Sequence, residues 1–213
     1  MTEHAALQAV ARTFDESLDQ HGPTAKSVLW FSETSQHKRF QVLTQLITSA
    51  ERDSGGLVIN DIGCGYGAFY HFLAEQGLMH KGYYTGYDIS PRMIEQAKQC
   101  CPADQTQFIL SSVPTMQADF SFASGTFGHK AANISNHAWR QQMETVLQAM
   151  AANSRHGMGF NLLKRKPLQL PTSSTLFYQR PKTIKAYCQH VLGGQVTLIE
   201  HYLPNDFTVL IRF

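Results

Sequence analysis

The segment Val58-Ile59-Asn60-Asp61-Ile62-Gly63-Cys64-Gly65-Tyr66-Gly67-Ala68 constrains this chain more than any other. A short β-branched, apolar run of this kind suits a strand buried on both faces of a parallel sheet. Three glycines at alternate positions then allow a sharp turn and leave backbone amides open to an approaching ligand. A helical pattern over 68–76 follows, with Phe69, Phe72 and Leu73 on one side and Gly77 as its stop. Strand, glycine turn and helix in direct succession form the opening unit of an α/β fold.

The alternation continues downstream. Tyr83–Tyr87 reads as a second strand, and Ser90-Pro91 starts a helix whose buried stripe is Met93, Ile94 and Ala97. Phe108–Leu110 and Asp119–Ser124 read as the third and fourth strands. A helix from about 136 to 152 carries Trp139, Met143, Val146, Leu147 and Met150 on one stripe, and Gly157–Leu163 is a fifth strand. Pro181 opens a last helix that ends at Gly193-Gly194. Residues 196–203 and 207–213 then alternate across a connection too short for a parallel crossover, so they pair antiparallel. The pattern is five β-α units followed by a hairpin, an α/β sandwich with a mostly parallel sheet. Before it, residues 3–20 and 35–50 read as amphipathic helices, the second with Gln36, Arg39 and Gln45 on its polar face. These two lie outside the alternation and are candidates for a cover over the site.

With 213 residues, 43% apolar, the chain has the length of one domain and no room for a second of full size. Eighteen Lys+Arg against 16 Asp+Glu leave a net charge of +2, which gives no electrostatic basis for a nucleic-acid or membrane-surface protein. The four cysteines form no C-x-x-C pair and no grouping with histidine at zinc spacing. Neither a disulfide framework nor a metal site is expected, and a reduced, cytoplasmic setting fits. The N-terminal stretch lacks a basic start and a long apolar run, and no segment reaches the ~18 apolar residues of a membrane span. The chain therefore reads as soluble and untargeted.

Two nucleoside ligands exploit a strand–glycine turn–helix unit. Gly63, Gly65 and Ala68 satisfy the dinucleotide pattern G-x-G-x-x-G/A, with Asp88 roughly 20 residues on for a ribose. Three details favour another ligand: Asp61 two residues before the first glycine, the third glycine Gly67, and a chain too short to add a substrate domain to a dinucleotide fold. Asp61-x-Gly63-x-Gly65-x-Gly67, with Tyr84-Thr85-Gly86-Tyr87-Asp88-Ile89-Ser90-Pro91 and Met93, Ile94 and Ala97 after it, resembles the class I S-adenosylmethionine-dependent methyltransferase family. The resemblance covers residues ~35–213. It implies a Rossmann-like, seven-stranded, mostly parallel sheet with an antiparallel C-terminal strand, preceded by two extra helices. The whole of 1–213 is then one methyltransferase domain, with a helical cover over 1–52 and an α/β core over 57–213.

The cofactor the resemblance implies is S-adenosylmethionine, with S-adenosylhomocysteine as product. Asp61 and the turn Gly63, Cys64, Gly65 and Gly67 would hold its methionine part, Asp88 both ribose hydroxyls, and Ile89 the neighbouring moiety. Ser111-Ser112 stands where the family often has an acid facing the adenine, so Ser112 is a neighbour of the base only by position. Ser124 and Gly125, after the fourth strand, would line the reactive methyl. The Gln36-His37-Lys38-Arg39-Phe40 segment resembles a Q-x-x-R-F pattern of some small members, and Arg39 could pair with the cofactor carboxylate through its guanidinium fork.

Methyl transfer needs in-line approach and, for an alcohol or amine, a proton acceptor. His129, on the edge where ligands sit in open α/β sheets, is the first candidate base, ahead of His71, His137 and His156. Tyr66, Tyr70, Phe127 and Trp139 are candidate pocket walls. Lys164-Arg165-Lys166 is the single basic cluster. The expected partner is a small-molecule acceptor methylated on O, N or S, with no nucleic acid and no membrane. RNA or protein methylation, a non-catalytic cofactor-binding regulatory subunit, and a dehydrogenase are the alternatives.

Overall fold

A computed structural model describes residues 3–164 and 175–213. The N-terminal region is α1 (Glu3–His21), α2 (Glu33–Leu43), a 3-10 turn at Thr44–Leu46, and α3 (Ser49–Ser54). The core then runs β1 (Val58–Ile62), α4 (Ala68–Glu75), β2 (Tyr83–Asp88), α5 (Pro91–Cys100), β3 (Thr106–Leu110), β4 (Ala118–Ala123), α6 (Asn136–Ala152), β5 (Ser154–Lys164), β6 (Tyr178–Gln179), α7 (Pro181–Tyr187) with a π turn at Cys188–Leu192, β7 (Gln195–Glu200) and β8 (Asp206–Arg212). The sheet order is β3-β2-β1-β4-β5-β8-β7, and the two-residue β6 joins beside β5. All pairs from β3 to β5 are parallel, while β8 runs antiparallel to both β5 and β7. Among the described residues no helix is long and apolar enough to cross a membrane.

Local chemistry sets the helix starts. Ser90 accepts the amide of Met93 at 2.9 Å, with Pro91 at the first helical position of α5, and Ser135 caps α6 through the amide of Ala138 at 3.1 Å. The sequence suggests one helix over 35–50. The structure breaks it, because Thr48 and Glu51 form a reciprocal capping box that starts α3 afresh.

One connection carries no helix. Residues 111–117 pass from β3 to β4 as an irregular strip, fixed where Asn60 Nδ2 donates to the Met116 carbonyl at 2.7 Å and the Met116 amide donates to the Tyr87 hydroxyl at 3.1 Å. The regular β-α alternation read from the sequence fails here. The sheet face that a crossover helix would cover is filled by α1 instead: Ala6 and Val10 share a core with Ile62, Tyr87, Trp139 and Met143. Asp15 accepts the Ser90 hydroxyl and Asp19 pairs with Arg92, fixing α1 to the start of α5. The opposite face buries Phe40, Leu43, Phe69, Phe72, Tyr84 and Phe122.

Arg39 departs from its expected place on a polar helix face. It is 7% exposed, pairs with Asp206 of β8, donates to the Ser35 carbonyl at 2.8 Å, and lies 3.8 Å from the centroid of the Trp30 ring. Its guanidinium is thus committed within the protein, so the expected pairing with a cofactor carboxylate is not what the geometry offers. Burial lowers the Arg39 pKa and raises that of Asp206, in each case against their mutual attraction. An ion pair of this kind does little for net stability while both partners are present, but loss of one strands the other. Asp206→Ala is expected to lower the unfolding free energy by roughly 3 kcal/mol, read as a fall in the urea midpoint.

Candidate active site

The C-terminal ends of β1, β2 and β4 open onto one cavity. Gly63 and Gly65 after β1, Asp88 and Ile89 at the end of β2, Ser112 after β3, and Ser124 and Gly125 after β4 all line it. An adjoining recess holds Asp61, Gly63, Cys64 and Ser124 together with Gln36 and Tyr66. A third, beside β5, holds Gly125, His129, Asn161 and Asp206. Val28 and Trp30 border all three.

The glycines admit these neighbours. Gly63 sits at φ +74°, and a Cβ there would meet Thr126 Oγ1 at 2.6 Å; that hydroxyl itself donates to the Ile62 carbonyl at 2.5 Å. Gly125, at φ +78°, has the six-membered ring of Trp30 laid directly on it. Trp30 reaches that place because Leu29 adopts a left-handed φ of +60° that only tight local bonding sustains, with the Trp30 amide donating to the Ala25 carbonyl at 2.9 Å. Gly67 plays another part: in the left-handed region it starts α4, and a Cβ would meet Cys101 Sγ at 2.6 Å. It lines none of the three recesses described above.

Two carboxylates dominate the electrostatics. Asp61 is 2% exposed; Tyr84 donates to its Oδ2 at 2.5 Å, while Oδ1 has no hydrogen-bond partner among the described residues. Burial raises its pKa to about 7, the Tyr84 hydrogen bond opposes the rise and the Asp88 charge adds to it. Asp88 accepts the Gly65 amide on Oδ2 and the Ser90 amide on Oδ1, each at 2.9 Å. The Ile89 backbone also bonds to this carboxylate. Burial raises this pKa also, against the backbone hydrogen bonds. An unanswered carboxylate oxygen in one recess, and a second carboxylate on the cavity adjoining it, fit a ligand that carries a cationic amino group and a diol.

His129 is half-buried, edge-on to Phe14 with ring centroids 6.2 Å apart, and burial lowers its pKa, which favours the neutral imidazole at pH 7. Phe127 and Trp139 line the main cavity, and the Trp139 indole donates to the Phe127 carbonyl at 3.1 Å. Tyr66 lines the Asp61 recess, whereas Tyr70 bonds Gln105 and belongs to the core. His71 lies against Cys101, and His156 faces Asp119 away from the cavity. Lys164 pairs with Glu200; Arg165 and Lys166 lie outside the described residues.

Sequence reasoning missed four residues here. Tyr84 holds Asp61, and Asn161 accepts the Gly125 amide at 2.8 Å while donating to the Ser124 hydroxyl at 3.3 Å. Trp30 and Gln142 line the cavity from segments with no motif. A lone asparagine within the otherwise apolar run 158–163 of β5 was the single available signal.

A methyltransferase domain family model matches residues 59–157. A Mycobacterium tuberculosis protein described as "Putative methyltransferase Rv1506c" is 32% identical over 155 residues, which is 72% of this chain and 92% of that relative. Among solved structures, magnesium protoporphyrin IX methyltransferase from Synechocystis PCC 6803 with bound SAH superposes with a TM-score of 0.64 at 12% identity, covering 97% of both chains. A Burkholderia thailandensis 1,6-didemethyltoxoflavin-N1-methyltransferase, with its acceptor and S-adenosylhomocysteine bound, superposes with a TM-score of 0.67 at 14% identity, over 100% of this chain and 90% of that one.

The Asp61 geometry generates a direct test. Carbon-13 NMR titration of the aspartate carboxyls is expected to show one midpoint near 7. Tyr84→Phe removes the hydrogen bond that favours the ionised form, so that midpoint moves up.

Proposed function

This chain belongs to the class I S-adenosylmethionine-dependent methyltransferase family, and we propose that it methylates an oxygen, nitrogen or sulfur atom of a small molecule. S-adenosylmethionine is the cofactor, and when bound it supplies an electrophilic methyl group on a sulfonium.

On this reading Asp61 Oδ1 takes the ligand's amino group, beside the Gly63–Gly65 turn, whose own amides are held by the Tyr87 carbonyl and Asp88. Asp88 receives the ribose hydroxyls, with Ile89 and Ser112 beside the base. Ser124 and Gly125 then flank the methyl. Asn161 holds their turn, which fixes the distance an acceptor must approach. His129, neutral and bordering the recess next to Gly125, takes the proton that an alcohol or amine must lose.

The observation that carries the small-acceptor reading is the roof. Leu7, Val10 and Phe14 of α1 close the main cavity from above, and Val28 and Trp30 close the recesses beside it. Apolar side chains over Gly125 favour a small acceptor that fits beneath them over a folded macromolecule. The two named structural neighbours act on small compounds, which supports the same class.

Calorimetric titration of S-adenosylhomocysteine is expected to give micromolar binding, about −8 kcal/mol, lost in Asp88→Ala. Incubation with S-adenosylmethionine is expected to release S-adenosylhomocysteine with members of a small-acceptor panel and not with total tRNA or denatured protein. Turnover confined to tRNA, with steep salt dependence, would overturn the small-acceptor reading.

A further inference from the structure

Between α1 and α6 the main cavity is walled by apolar side chains, Leu7 and Val10 from one helix and Trp139, Met143 and Val146 from the other. One polar residue interrupts that wall. Gln142 is 7% exposed, and its Oε1 is buried with no hydrogen-bond partner among the described residues. A buried amide oxygen left unanswered is unfavourable, and a methionine or leucine would occupy the same stripe of α6 without that cost. A glutamine here makes physical sense if a ligand supplies the missing donor.

The ligand's donor can be identified from what else lines the cavity. If Asp88 holds the ribose, as proposed above, the base attached to that ribose lies in the same cavity against Ile89, and its flat faces suit the apolar wall. Its exocyclic amino group then needs an acceptor in a dry setting. Ser111 Oγ is already used within its own turn, donating to the Val113 carbonyl at 2.7 Å and accepting the Val113 amide at 3.1 Å. Thr126 Oγ1 donates to the Ile62 carbonyl. Among the described residues the sole carboxylate lining this cavity is Asp88 itself. We propose that Gln142 recognises the adenine, its side-chain oxygen accepting a hydrogen bond from the 6-amino group, so that α6 contributes to base recognition opposite Ser112 on the turn after β3.

The inference rests on the placement of the ribose at Asp88, and the test separates the two. S-adenosylhomocysteine, its 6-oxo analogue and its 6-hydrogen analogue are each titrated calorimetrically into wild type and into Gln142→Met, whose thermal midpoint is recorded without ligand. Wild type is expected to bind the 6-amino form about tenfold more tightly than the 6-hydrogen form. Gln142→Met is expected to lose that preference while binding the 6-hydrogen form as wild type does. A wild type that does not distinguish the three, or that prefers the 6-oxo form, overturns the proposal without recourse to any variant. A variant that keeps the preference, or weakens all three ligands equally, overturns it as well. Binding of none of the three by wild type overturns the ribose placement along with it.

Discussion

The rest of the structure depends on the point in the sheet where the chain changes direction. From β1 the path moves outward through β2 to β3, then returns across the sheet to β4 on the other side of β1. The loops leaving β1 and β4 therefore diverge, and a crevice opens between adjacent strands. Gly63 lies at one lip and Gly125 at the other, and the Thr126 hydroxyl bridges them by bonding to the Ile62 carbonyl. Asp88 reaches in from β2 to hold the Gly65 amide, which fixes the turn in an open form. Any residue that is to meet a ligand here must come from a strand end or from an element laid over the crevice.

The helix-free passage from β3 to β4 decides what that covering element is. With an irregular strip in place of a crossover helix, one face of β2 and β1 lacks apolar cover, and α1 supplies it from the far end of the chain. The residues that bury α1 are also those that close the cavity, so its packing and its role as a roof are the same contact. Asp61 shows the opposite balance. Its burial raises its pKa to about 7, so protonation is favoured by folding and the ionised form is held at a cost above that pH. A cationic ligand group offsets the cost, coupling occupancy of the site to the charge state of β1.

Much of this was legible from local pattern. Asp61, Gly63, Gly65, Asp88, Ile89, Ser112, Ser124 and Gly125 come together because each stands at or just beyond the C-terminal end of a parallel strand, and strand ends can be found from short apolar runs. Arg39 could not be placed that way. Its helix position reads as polar, and only the distant Asp206, on the last strand, accounts for its burial. Gln142 and Trp30 were hidden for the same reason: one glutamine in a helical stripe, or one tryptophan in a loop, acquires meaning only from elements more than a hundred residues or a whole layer away. The missing crossover helix left no mark except the brevity of residues 111–117.

Both tryptophans of the chain, Trp30 and Trp139, border the same cavity, one resting on Gly125 and the other bonded to the Phe127 carbonyl. No indole stands elsewhere in the sequence to dilute their emission. The tryptophan fluorescence of the whole molecule therefore originates at its crevice, and the protein carries its own optical reporter of whatever enters there.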